Sequence, residues 1–163
     1  TPLYSSAASD VYKRQVQLSD GNIMLNMRDN RNRGNKKENG RRICITSDLG
    51  KTWTEHPTSR NALIEPTCMG SIHKHIYNHD GQNTSILLFV NPESYSERNH
   101  ITLKVSYDEG NTWPENKKIL LDEYNGRGYS CITSVNENTI GILYESSQAD
   151  MVFQQIKLEE LLP

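Results

Sequence analysis

Long apolar runs are missing from this sequence. The longest, Ile86–Val90, has five residues, far short of the ~20 a helix needs to cross a bilayer, so no transmembrane segment is expected. Only three cysteines occur, Cys44, Cys68 and Cys131, and no two form a CxxC pair. That excludes a disulfide scaffold and a zinc ribbon, and the expectation is three buried free thiols. Charge of one sign is missing as well: 18 Lys and Arg stand against 20 Asp and Glu in 163 residues, a net charge of -2. No basic track points to a nucleic-acid partner, and no like-charged block suggests an interaction tail. Thr1–Gln15 shows no charged-then-apolar leader pattern. The length suits one domain, or a piece of one.

What is present is a series of short, β-branched bursts bounded by turn formers. Val16–Leu18 leads through Ser19-Asp20-Gly21-Asn22 into Ile23–Met27, two runs around an Asp-Gly turn. Ser71–Tyr77 leads through His79–Asn83 into Ser85–Val90, and Ile132–Val135 through Asn136–Asn138 into Ile140–Tyr144. Ile43–Thr46, Ile101–Ser106, Lys118–Leu121 and Met151–Lys157 are further strand candidates. Helical periodicity is confined to one turn, Leu158–Leu162. The chain reads as all-β.

Two of these turns repeat a pattern, S/T-x-D-x-G-x-T-W, 60 residues apart. Thr46–Trp53 carries Asp48, Gly50 and Trp53, and Ser106–Trp113 carries Asp108, Gly110 and Trp113. An Asp side chain can accept from turn amides, Gly supplies a positive φ, and Trp clamps the hairpin against its neighbour. A repeat of this length, several strands per unit, points to propeller blades packed side by side. These turns resemble the Asp boxes of the sialidase superfamily. The box also decorates non-enzymatic propellers, so it speaks for fold and not for chemistry.

Strand parity then sorts the loops. In an antiparallel meander every first-to-second and third-to-fourth turn lies on one face, and the remaining connections lie on the other. Both Asp boxes fall on the first face. The longer connections, Asp29–Arg42, Thr58–Gly70, Asn91–His100 and Asp122–Gly128, fall on the opposite rim, where function is usually carried. Arg28 and Glu145 end second strands, Arg98 sits just before a third strand, and Tyr129 opens a first strand. All four therefore share that rim. Taken singly, an arginine or glutamate at a strand end is ordinarily solvated or weakly paired, and Arg31, Arg33, Lys36, Lys37, Arg41 and Arg42 read as a solvated loop.

From about Val16 to Leu162 the chain resembles the C-terminal half of a bacterial exo-α-sialidase of the retaining, six-bladed kind. The markers are VQLSDGNIMLNMR ending in Arg28, NPESYSERNHITLKVS carrying Arg98, and GYSCITSVNENTIGILYE carrying Tyr129 and Glu145. The resemblance implies a partial six-bladed β-propeller, about three blades of four-stranded antiparallel sheet. It implies Arg28 and Arg98 as two of three arginines gripping the carboxylate of sialic acid, Tyr129 as nucleophile, and Glu145 as the residue orienting the first clamp arginine. No cofactor is implied, the implied partners are sialylated glycans, and enzymes of this type are typically periplasmic or secreted. The chemistry is coherent. Sialic acid carries a carboxylate on the carbon under attack, so a neutral phenol avoids the repulsion an anionic nucleophile would meet, and sialidases depart in this way from the two-carboxylate scheme.

The sequence also departs from the family. The first clamp arginine and the acid/base aspartate lie upstream of the matched region. The base glutamate expected sixteen positions before Arg28 is replaced by Tyr12, and Asp10 is out of register. Thr1–Gln15 shares nothing with the family strand it replaces and reads as unrelated to this fold, leaving 16–163 as the propeller segment. The expectation is therefore a sialidase fragment that is inactive alone. Two other readings remain: a non-catalytic Asp-box propeller that binds glycans or proteins, and a metal site at His73 and His75 with His79 nearby, since alternate strand residues share a face.

Overall fold

Two-residue turns with positive φ decide where this chain reverses. Asp80 (φ 51°) and Gly81 (φ 81°) form one of them, a conformation whose twist matches that of the flanking strands. Pairing therefore continues to His79 opposite Gln82, and the two strands run longer than their apolar cores suggested. The computed structural model describes residues 13–30, 39–148 and 150–162; Asp10, Tyr12, Arg31, Arg33, Lys36 and Lys37 lie outside them.

Eleven strands form three antiparallel meanders among the described residues. The first contains β1 (Lys13–Gln17), β2 (Ile23–Met27), β3 (Arg42–Thr46) and β4 (Thr54–Glu55). The second contains β5 (Ser71–His79), β6 (Gln82–Pro92), β7 (Ile101–Ser106) and β8 (Lys118–Asp122). The third has three strands, β9 (Ser130–Asn136), β10 (Thr139–Tyr144) and β11 (Val152–Lys157), followed by the single turn α1 (Leu158–Leu161). The first strand begins earlier than its apolar residues indicate: Lys13, Arg14 and Gln15 pair with Met27, Asn26 and Leu25. Strand pairing thus reaches three residues into the stretch set apart above. β5 lies against both β1 and β9, so the first strands of the three blades stand side by side.

The central strand β6 shows why the blades stack. Leu87 and Phe89 face the first blade, joining Leu18, Met24, Ile43, Leu63, Ile72 and Trp113 in one core. Ile86, Leu88 and Val90 face the third blade, in a second core with Leu103, Val105, Ile132, Ile140, Ile142 and Leu161. All five are at most 2% exposed. A strand buried on both faces needs an unbroken apolar run, and Ile86–Val90 is that run. Each such side chain contributes roughly 1.5–3 kcal/mol on burial, and a one-residue slip would exchange the two cores.

Two expectations need correction. Cys44 and Cys68 are buried, but Cys131 is exposed, because it sits in the outer row of the third blade, paired with half-exposed Leu143, which pairs in turn with Phe153. The third blade has three strands, the three that its sequence shows. Arg41 is not a solvated loop residue: it is 0% exposed and ion-paired.

Candidate functional site

The two Asp boxes close in the same way. Thr46 Oγ1 donates to Asp48 Oδ1 (2.8 Å) and accepts from the Gly50 amide (2.9 Å). Asp48 accepts the Thr52 amide on Oδ1 and the Thr52 hydroxyl on Oδ2, both at 2.8 Å. Ser106, Asp108, Gly110 and Thr112 repeat each contact within 0.1 Å. The Thr52 amide and hydroxyl, with Thr46, pull the Asp48 carboxyl down to about 2. At Asp108 partial burial opposes the shift, but the bonds from Thr112 and Ser106 outweigh it and the carboxyl also titrates low. Leu49 and Glu109 take positive φ beside Gly50 and Gly110. Trp53 Nε1 donates to Gly50 O, while Trp113 meets Phe89 edge-on in the core between blades.

The boxes lie on the face opposite Arg28, Arg98, Tyr129 and Glu145. Thr46 pairs with Ile23 and Arg42 with Met27, which puts Asp48 and Arg28 at opposite ends of the first sheet. Likewise Ser106 pairs with Leu87 while Ile101 pairs with Pro92, separating Asp108 from Arg98. Ser130 pairs with Tyr144 at the end of the third blade where Tyr129 and Glu145 meet.

On that rim Arg98 and Tyr129 come together. The Arg98 guanidinium carbon is 5.5 Å from the Tyr129 ring centroid, within cation–π range, and Nη1 donates to Arg127 O at 2.9 Å. Glu145 brackets Tyr129: its Oε2 accepts the Tyr129 amide (3.2 Å) and its own amide donates to Tyr129 O (2.9 Å). Gly128, just before Tyr129, has φ 83°, and a Cβ there would lie 2.7 Å from Pro92 Cγ and 3.3 Å from Cys68 Sγ. Only glycine fits this approach.

Arg28 adjoins a cluster that sequence reasoning missed. Half-buried Arg28 follows β2. Behind it the Arg41–Glu65 ion pair (3.0 Å) is sealed from solvent. Arg41 Nε donates to Asn26 Oδ1 (2.6 Å) and Nη1 to Cys68 O (2.6 Å). Glu65 accepts the Asp29 amide on Oε1 and the Cys68 amide on Oε2, both at 2.9 Å. Burial draws the Arg41 guanidinium below its ordinary value; Glu65 resists that, and the positive charge of Arg28 adds to it. Burial pushes the Cys68 thiol up to about 11, against the field of Arg98. The charges of Arg28 and Arg98 thus both act on one buried polar cluster. The missed signal was parity: Arg41 stands two residues before inward-facing Ile43, on the same side of its strand.

The histidines do not form a metal centre. His73 Nε2 and His75 Nδ1 both lie 2.8 Å from Ser134 Oγ, and His75 Nε2 is 2.8 Å from Glu137 O. The carbonyl requires a proton on His75 Nε2, so Ser134 donates to His75 and accepts from His73. This chain of hydrogen bonds stitches the second blade to the third. No group of three or more His, Cys, Asp or Glu among the described residues could hold a metal, and no helix among them is long and apolar enough to cross a membrane.

Adjoining antiparallel meanders with two Asp-box turns define a segment of an Asp-box β-propeller. No family model matches the sequence, but individual relatives do. A sialidase of Bacteroides fragilis (strain YCH46) is 42% identical over 161 residues, covering 98% of this chain and 28% of the relative. A sialidase of Micromonospora viridifaciens is 31% identical over 134 residues, 81% of this chain and 19% of the relative. Among solved structures, a Hadza microbial sialidase superposes with a TM-score of 0.82 at 43% identity, covering 92% of this chain and 28% of that one. A leech intramolecular trans-sialidase, 18% identical with a TM-score of 0.69, shares the fold over 91% of this chain and 24% of its own. By sequence and by fold the chain is a sialidase fragment. It spans between about a fifth and just over a quarter of the length of the curated sialidases it matches.

Proposed function

We propose that this chain is the C-terminal part of an exo-α-sialidase, supplying the nucleophile and two arms of the carboxylate clamp for hydrolysis of terminal sialic acids from glycoconjugates. The observation that carries the reading is Arg98 lying against Tyr129 on the rim that also holds Arg28. In this reading the guanidiniums of Arg28 and Arg98 grip the substrate carboxylate, a task the planar fork performs bidentately. Tyr129 attacks the anomeric carbon. A phenol with an ordinary pKa of ~10 needs a base and a positive field to do so near neutrality, and the arginines supply the field. Glu145, bonded to both backbone polar groups of Tyr129, fixes its place and orients the first clamp arginine. That arginine and the acid/base aspartate are supplied from upstream, and Tyr12 stands at the position of the base glutamate, so residues 1–163 alone do not turn over substrate.

The test uses a fluorogenic sialoside. A full-length protein in which Val16–Leu162 follows the native upstream sequence, with a glutamate in place of Tyr12, hydrolyses it, Tyr129→Phe in that protein removes turnover while leaving the fold, and residues 1–163 alone are silent. Undiminished hydrolysis by Tyr129→Phe would end the nucleophile assignment. Sialoside binding without hydrolysis by the full-length wild type would favour a glycan-binding propeller instead.

A further inference from the structure

We propose that the buried Arg41–Glu65 pair is a positioning device for the carboxylate clamp, setting where Arg28 stands relative to Arg98 and Tyr129. The inference rests on the sialidase reading above and goes beyond it, because neither residue reaches the substrate.

Glu65 Oε1 accepts the amide of Asp29, the residue immediately after Arg28. Its Oε2 accepts both Arg41 Nη1 and the Cys68 amide. Arg41 in turn holds Cys68 O and Asn26, two residues before Arg28. The backbone on both sides of Arg28 is therefore tied to one ion pair. Cys68 continues the path: its Sγ lies 3.6 Å from Gly128 O and 3.9 Å from Arg127 O. Arg127 O is the acceptor that holds Arg98 Nη1, and Gly128 precedes Tyr129. The second blade anchors the same segment from behind, since Asn91 Nδ2 donates to Ile64 O (2.8 Å) and fully buried Lys104 donates to Asn91 Oδ1 (2.8 Å).

A buried ion pair is poor value as a source of stability, because desolvating two charges offsets their attraction. This one satisfies its remaining lone pairs and protons from two separate segments, Asn26 and Asp29 at the end of β2 and Cys68 in the 64–68 link. Such an arrangement fixes geometry, and misplacement of a gripping group by about 1 Å can cost on the order of 100-fold.

The experiment is done in the full-length protein. Three variants are compared, R41M/E65L, R41K and R28K, with thermal melting to establish that each is folded. R41M/E65L replaces the pair by apolar groups of similar size, a change that is often neutral for folding. R41K keeps a charge for Glu65 while losing the Nε bond to Asn26, so it serves if the double variant does not fold. The readouts are KM and kcat on a fluorogenic sialoside, and inhibition by free sialic acid against its methyl ester. The inference expects KM to rise about tenfold or more with kcat changed much less, and the preference for free acid over ester to collapse towards that of R28K. Folded variants that keep wild-type KM and wild-type acid preference, beside an R28K that loses both, overturn the positioning role and leave the clamp standing. An R28K that itself keeps the acid preference overturns the clamp, and this inference with it.

Discussion

Arg98 and Tyr129 stand as a stacked pair, guanidinium carbon 5.5 Å from ring centroid, although they belong to different blades and are 31 positions apart in sequence. Arg98 comes from the connection between β6 and β7, Tyr129 from the chain entering β9, and Gly128 allows the close approach. Blade packing, and not local sequence, makes the contact.

Gly128→Ala should therefore damage both fold and site. The residue would have to hold φ 83° with its Cβ 2.7 Å from Pro92, a combination costing on the order of 1–3 kcal/mol. Thermal melting should show the loss, and the KM for a sialoside should rise because Arg98 Cβ is also within 3.5 Å. An alanine variant with an unchanged melting point would contradict the strained approach.

The second Asp box should matter more to stability than the first. Asp108→Ala removes the acceptor for Ser106, the Thr112 amide and the Thr112 hydroxyl, a loss of about 1–3 kcal/mol, in a turn whose Trp113 and Gly110 pack into the core between blades. Asp48→Ala breaks the same bonds at a more exposed turn. Denaturant titration should rank Asp108→Ala as the more harmful; the reverse order would disconnect the boxes from blade packing.

Thiol accessibility should divide the cysteines one against two. Cys131 is exposed, Cys44 and Cys68 are buried, and the Cys68 thiol titrates only near 11. Since the thiolate is the reactive form, iodoacetamide at neutral pH should modify Cys131 alone in the native protein, and all three after denaturation. Mass spectrometry of tryptic peptides reads this directly.

Acid should loosen the seams between blades through His73 and His56. Burial lowers both below their ordinary 6.5, with His75 adding to the effect at His73 and Asn111 and Asp108 opposing it at His56. The unfolded chain then binds protons before the folded one, so stability is full above about 6.5 and falls as pH drops through the lower folded values. Melting temperature should decline from pH 7 towards 5. His73→Gln should flatten part of that slope; if the slope survives unchanged in both His73→Gln and His56→Gln, other groups are responsible.

The strands and their turns were legible because their signals are local. Asp-Gly and Asp-box residues state where the chain reverses, and β-branched bursts state what lies between, so the three meanders and the opposed rims follow from parity alone. Turn geometry lengthened β5 and β6 beyond their apolar residues, a detail set by two φ angles at Asp80 and Gly81. Parity also gathered Arg28, Arg98, Tyr129 and Glu145 onto one rim, which the register confirms.

Sequence by itself determined the all-β character, the blade repeat and the face on which the long connections gather, since each depends on neighbours along the chain. Only the tertiary structure decided that Arg41 is buried against Glu65, that Cys131 is exposed, and that Ser134 joins two histidines across a seam. The physical reason is shared by all three. A charged or polar side chain declares its fate only when its partner is known, and those partners arrive from 24 to 61 positions away, brought there by the packing of one blade upon the next.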